Sequence, residues 1–151
     1  MSISENRFNP FVKFAISAAF VSLIGLGDSI YLTVHHYTAE PVPCSLIAGC
    51  EMVLTSAYAT LAGIPLGIFG IAAYLFAFVL SVLTISGKPQ AWLLFALQVI
   101  LMALFTGWLL YLQGFVIGAF CQFCLLSAIS TFTLLIIAVV SRFWRAKSVL
   151  S

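Results

Sequence analysis

Charge is the scarcest commodity in this sequence. Of its 151 residues only 7% are Asp, Glu, Lys or Arg, where an ordinary soluble domain has about 25%. A globule of this size with so few charged side chains could not keep its surface in water, so that class is excluded. Disorder is excluded as well, because disordered chains join low hydrophobicity to high net charge. There is no basic cluster outside the termini and the formal net charge is only +2, which excludes a strong nucleic-acid binder. The period-two alternation of barrel strands is missing too. No internal repeat, low-complexity tract, linker or lipidation box is present. What the chain has instead is hydrophobicity, at 64% of residues and a mean hydropathy of +1.22. It is expected to be an all-α integral membrane protein of one domain, residues 1–151.

Residues 52–87 and 89–141 carry no charged side chain. A spanning helix needs roughly 20 apolar residues, so the second stretch holds two crossings and a turn. Gln113-Gly114 to Gly118 is the place for that turn, where an amide and two glycines interrupt the aliphatic run. Four spans are predicted, at about 11–34, 59–85, 91–113 and 119–141. They form a four-transmembrane-helix bundle, with a short interfacial helix expected near residues 49–57 in the first outward loop. The first span is too long for a removable signal peptide and lacks its cleavage site. Four crossings put both termini on the side of the turn Ser86-Gly87-Lys88-Pro89. Arg7, Lys13, Lys88, Arg142, Arg145 and Lys147, all six basic residues, then fall on that side. By the positive-inside bias it is cytoplasmic, N- and C-termini included. Trp92, Trp108, Trp144 and Tyr111 stand near predicted helix ends and are expected to be interface anchors.

The four cysteines all fall on the other side. Cys44 and Cys50 lie in the first outward loop, within Pro43-Cys44-Ser45-Leu46-Ile47-Ala48-Gly49-Cys50. Cys121 and Cys124 lie at the outward end of the fourth span, within Phe120-Cys121-Gln122-Phe123-Cys124. In a bacterial cell that side is the oxidising compartment, where disulfides form and persist. Residues at i and i+3 share a helix face about 5–6 Å apart, so Cys121 and Cys124 are placed to close a disulfide with modest adjustment. A helix N-terminus there would stabilise a thiolate and lower its pKa, which suits a pair that cycles between states. Pro43 and Gly49 let the loop pair bend toward the fixed pair, and two such pairs make a relay. Three other uses of four cysteines remain: small buried hydrophobes, a structural zinc site, or two permanent disulfides.

Further residues extend the pattern: Val53-Leu54-Thr55-Ser56, Gly63-Ile64-Pro65-Leu66-Gly67, Gly118-Ala119-Phe120 before the CxxC, and Gly27-Asp28-Ser29-Ile30-Tyr31-Leu32-Thr33 in the first span. Together with the cysteines they resemble the bacterial branch of the vitamin K epoxide reductase family, over about residues 15–140. The other quinone-coupled oxidase of bacterial disulfide formation has its CxxC in the first loop and its wide pair in the second; here the order is the reverse. The resemblance implies that Cys124 faces a quinone, that Cys121 exchanges with the loop, that Cys50 forms a mixed disulfide with Cys121, and that Cys44 is attacked by a partner's thiolate. Ser56 matches a family Ser/Thr that supports the site by hydrogen bonding. Many bacterial relatives carry a fused thioredoxin-like domain; this sequence ends soon after Trp144, so the expected partner is a separate DsbA-like thioredoxin-fold protein of the periplasm. The animal enzymes offer the quinone carbonyls an Asn and a Tyr; Leu66 and Ala128 stand at those places here, which speaks against vitamin K epoxide as the substrate.

A quinone (ubiquinone or menaquinone) is chemically apt, because it dissolves in lipid and takes up two electrons and two protons, the yield of one dithiol. Phe69, Phe123 and Tyr74, with Ser56, are the candidate lining of its site. Asp28 is the one acid inside a span, on a face with Tyr31, Leu32 and His35; it reads either as an interface carboxylate hydrogen-bonded to a neighbouring helix or water, the reading favoured here, or as a proton route to the reduced quinone. The chain is thus expected to be an enzyme of the bacterial inner membrane, a quinone-dependent thiol-disulfide oxidoreductase without a metal. The alternative is a non-catalytic tetraspan protein held by structural disulfides or zinc.

Overall fold

The computed structural model describes residues 10–150, so Glu5 and Arg7 lie outside the described residues. In chain order its elements are α1 (Pro10–Thr38), α2 (Cys50–Leu54), a 3-10 turn (Ala57–Ala59), strands β1 (Thr60–Leu61) and β2 (Ile64–Pro65), α3 (Leu66–Ile85), α4 (Gln90–Tyr111), a π-helical segment (Leu112–Ile117) and α5 (Gln122–Leu150). The four long helices are each apolar enough to cross a membrane, α4 together with its π-helical continuation. The chain is a multi-pass membrane protein. Helix α1 packs against α3 and α5, and α4 packs against the same two, so the four close into a ring.

Lipid tails are as apolar as leucine, so helices in a membrane associate by close packing rather than by escape from water. The core shows this in its small side chains: Ala15, Ala18, Ala77, Ala91 and Ala138 let the helices approach around Phe95, Val99, Leu80 and Leu134. Several buried hydroxyls are satisfied within their own helices. Ser22 donates to the Ala18 carbonyl at 2.7 Å, and Ser81 and Thr84 donate to the Ala77 and Leu80 carbonyls at 2.9 Å. Large apolar side chains such as Phe20, Leu104, Ile129 and Phe143 point outward, where lipid would meet them.

Several features differ from the sequence expectation. The second spanning helix begins at Leu66, not near residue 59. Ala62 and Gly63 turn with φ of 53° and 80°, pairing Thr60 with Pro65 and Leu61 with Ile64 in a minimal antiparallel hairpin. Pro65 disfavours helical backbone at Ile64, so the helix starts only after it. The fourth spanning helix begins at Gln122 rather than near 119. The preceding turn falls at 113–118 as expected, through the π-helical segment and a left-handed Gly118 (φ 72°). A short helix does occupy the first loop between the spans, at Cys50–Leu54. Trp92 is not an interface anchor. It is buried, its ring stacks on Phe95 at 4.5 Å, and its indole N–H donates to the Ser141 hydroxyl at 2.9 Å. Trp108, Tyr111 and Trp144 are exposed.

Candidate functional site

Cys121 is the residue from which α5 departs. Its carbonyl accepts the first helical hydrogen bond, from Leu125 N–H at 2.9 Å, which makes it the N-cap. Helix N-caps usually carry a side-chain oxygen that accepts from the amide three residues on. Here the acceptor is sulfur, with the Cys124 N–H 3.4 Å from Cys121 Sγ. The Cys121 thiol is pulled below the ordinary thiol range. The largest cause is a hydrogen bond from the Cys124 thiol; burial opposes it, and the backbone N–H groups of Cys124 and Phe123 assist. Gln113, in the π-helical segment, secures this terminus from behind. Its Oε1 accepts from Cys121 N–H at 3.2 Å while its carbonyl accepts from Ala119 N–H at 3.0 Å. Gln113 stood out in the sequence only as a polar interruption marking a turn; its partner lies beyond that turn.

The other pair is present as a Cys44–Cys50 disulfide, with Cα atoms 6.2 Å apart, while Cys121 and Cys124 are free thiols. Cys50 opens α2 and is as fully buried as Cys121. The two share one packed cluster with Val53, and Cys44, Cys124, Phe123 and Ala119 lie against it. Two features seat the loop there. A β-carbon on Gly49 would fall 2.6 Å from the Phe120 carbonyl oxygen, so only glycine allows this approach of loop to CxxC segment. Gln122, the first residue between the two cysteines, grips the loop on either side of Cys44. Its Oε1 accepts from Leu46 N–H at 3.0 Å and its Nε2 donates to the Pro43 carbonyl at 3.4 Å.

Beneath this cluster the bundle encloses a cavity of about 850 Å³, a volume in the range of small-molecule sites. Cys124 lines it and Cys121 does not. Of the four residues expected to line a quinone site, Ser56, Phe69 and Tyr74 do so. Phe123 does not: its ring lies against Tyr31 at 4.9 Å and on the cysteine cluster. One residue before Cys124 on the helix, it is turned about 100° away from the cavity face. The Ser56 hydroxyl donates to the Val53 carbonyl at 2.7 Å, closing the end of α2. Tyr74 is buried, with its hydroxyl 2.7 Å from the Ser127 carbonyl oxygen and 2.8 Å from Thr131 Oγ1. Its ring fills the space over Gly25 of α1 that a β-carbon would occupy. Leu66 and Ala128 line the cavity as well, with apolar side chains. So do Asp28, Leu32 and His35 of α1, whereas Tyr31 turns to Phe123.

The chemistry available is therefore thiol–disulfide exchange at one end and a mostly apolar chamber at the other, with Cys124 at the boundary. Among the described residues no group of three or more His, Cys, Asp or Glu is arranged to hold a metal ion. A family model described as the Vitamin K epoxide reductase family matches residues 16–139.

Proposed function

The chain belongs to the vitamin K epoxide reductase family, and from that membership and the site's geometry we propose that it reoxidises a separate DsbA-like thioredoxin-fold protein and passes the electrons to a quinone in the membrane. The family relation makes the chain an oxidoreductase linked to thiols and quinones. One observation carries the finer reading: all four cysteines gather in one cluster, and only Cys124 of the CxxC pair opens onto the cavity.

In the proposed reaction the partner's thiolate attacks Cys44, forming a mixed disulfide and releasing Cys50 as a thiolate. Cys50 attacks Cys121 of the oxidised CxxC pair and Cys124 leaves. The partner's second thiol resolves the first mixed disulfide, and Cys44, now free, attacks Cys50. That step restores the Cys44–Cys50 disulfide and expels Cys121. A thiolate of low pKa is the better leaving group, and the Cys124 thiol, assisted by the helix amides at the N-cap position, gives Cys121 that property. The arrangement present here, a loop disulfide beside two CxxC thiols, corresponds to the stage at which the electrons have moved inward. A quinone held among Phe69, Tyr74, Leu66 and Ala128 would supply the acceptor for two electrons and two protons. Lys13, Lys88, Arg142, Arg145 and Lys147 lie toward the opposite end of the bundle, and the positive-inside bias supports reading that end as cytoplasmic and the cysteines as facing the periplasm from a bacterial inner membrane.

The test is turnover. Purified protein in detergent, given ubiquinone or menaquinone and a reduced DsbA-like protein, should form quinol, and Cys124→Ala should form none. Folded wild-type protein that turns over with neither quinone and no thioredoxin-fold partner would sink this function.

A further inference from the structure

Asp28 is left without employment by the relay, yet its position is costly. It is the only acidic residue within a spanning helix and is only 7% exposed. Neither carboxylate oxygen has a hydrogen-bond partner among the described residues. A carboxylate taken out of water is normally paired or neutralised, and within membranes ionisable side chains mark sites of function. Asp28 faces the cavity together with Cys124 and interacts electrostatically with Cys121, Cys124 and Tyr74.

The groups facing it can be taken element by element. Helix α3 presents Tyr74, whose hydroxyl is already engaged with Ser127 and Thr131 of α5. Helix α5 presents Cys124, with Cys121 at its cap. Helix α4 lines the cavity with no titratable side chain. His35, His36, Glu40, Glu51 and Tyr58 also line the cavity, His35 half-buried and the other four exposed. With Tyr74 occupied by α5, Asp28 is the buried acid–base group of the chamber whose oxygens have no hydrogen-bond partner among the described residues.

We propose that Asp28 is a catalytic proton carrier for quinone reduction, taking the proton of the Cys124 thiol and delivering it to a quinone oxygen in the same cavity. This rests on the thiol-to-quinone reading above. In the balanced step the Cys121 and Cys124 S–H bonds break and an S–S bond forms. Two electrons pass to the quinone, and its two carbonyl oxygens become hydroxyls. One proton travels from Cys124 through Asp28, which ends as it began. The proton of Cys121 leaves to solvent, and the second quinone oxygen takes a proton from solvent.

The experiment compares wild type, Asp28→Asn and Asp28→Glu in three assays. Quinol formation gives kcat and the quinone KM. Quenching of tryptophan fluorescence gives quinone binding without turnover. Thiol trapping without quinone gives the rate at which a reduced DsbA-like protein reduces the Cys121–Cys124 pair. Asp28→Asn should lower kcat by on the order of 100-fold or more, the usual contribution of a positioned acid–base group, and leave quinone binding and thiol trapping within about threefold. Asp28→Glu should restore part of the rate with a displaced pH profile. Wild-type kcat in Asp28→Asn would overturn the assignment, and so would parallel losses in all three assays, which are the mark of a structural role. If Asp28→Asn does not fold, the wild type still decides. Asp28 is the chain's only aspartate, so carbon-13 aspartate labels that carboxyl alone. Time-resolved infrared spectra of a single turnover should show it transiently protonated, and an unchanged band would overturn the assignment. A wild type that accepts electrons from the partner and never reduces quinone would instead refute the function on which the assignment rests.

Discussion

A sulfur atom standing where helices usually place a capping oxygen gives Cys121 two roles at once. As N-cap it satisfies an amide that would otherwise be orphaned, and as redox sulfur it gains the stabilisation that helix amides and dipole extend to an anion. The largest contribution comes from the Cys124 thiol, so the effect is testable by removing it. In protein with the Cys44–Cys50 disulfide intact, thiolate absorbance should be followed against pH. A lowered pKa means that the Cys121 thiolate persists above the lowered value and is lost only as pH falls through it. The wild-type thiolate should therefore begin to form at lower pH than an ordinary cysteine of pKa about 8.5. In Cys124→Ala the onset should move back up, leaving only the smaller help of the backbone N–H groups. An onset unchanged by Cys124→Ala would assign the stabilisation to the helix terminus alone.

Between elements, the critical contact is that of the first loop with the start of α5, and Gln122 holds it from the helix side. Gln122→Leu removes the bonds to Leu46 N–H and the Pro43 carbonyl. A net hydrogen bond contributes about 0.5–1.5 kcal/mol, and these are solvent-exposed. Exchange between Cys50 and Cys121 should slow by roughly tenfold or less, read by rapid thiol trapping, while the quinone KM stays unchanged. Amide exchange across residues 43–47 should accelerate; unaltered exchange there would show that Gly49 and the disulfide seat the loop without Gln122. This clasp could not be seen in the sequence, because Gln122 and its partners lie more than 70 positions apart. Gln113 was hidden by its turn, since its partner Cys121 lies only eight positions on but past the bend, and Trp92 was sent to the interface because hydropathy does not say which face of a helix meets its neighbours. The second span started too early for a different reason: residues 57–65 carry no charge, like the helix that follows, and only Gly63 and Pro65 mark the hairpin. The helices themselves and the gathering of the four cysteines at one end of the bundle were legible, because uncharged runs show in composition and the number of crossings places both cysteine pairs at the same end. Phe69, Tyr74 and Ser56 were reached through family resemblance and chemistry, and their placement on the cavity needed the fold.

At the scale of the whole molecule, the site works only if its two ends meet different surroundings. In the proposed reaction the loop cysteines reach a soluble partner in an oxidising compartment, and the cavity is reached by a quinone dissolved in lipid. The proposed orientation rests on charge: Lys13, Lys88, Arg142, Arg145 and Lys147 lie toward one end of the bundle, and Glu40 and Glu51 flank the cysteine loop at the other. Cations near the ends of spans set orientation and acidic residues contribute little, so the two glutamates are a consequence more than a cause. A cysteine placed at Glu40 should react with a membrane-impermeant maleimide on intact spheroplasts. Cysteines placed at Lys88 or Ser148 should react only after the membrane is opened. The opposite pattern would put the redox centre in the reducing cytosol, where the Cys44–Cys50 disulfide would not persist and flow from a periplasmic dithiol to quinone could not occur. Reversing the charge asymmetry, by removing Lys88 and adding lysines beside Glu40, should turn part of the population over and lower partner oxidation in the same proportion. This outcome ties activity to orientation rather than to the cysteines, which the substitutions leave in place.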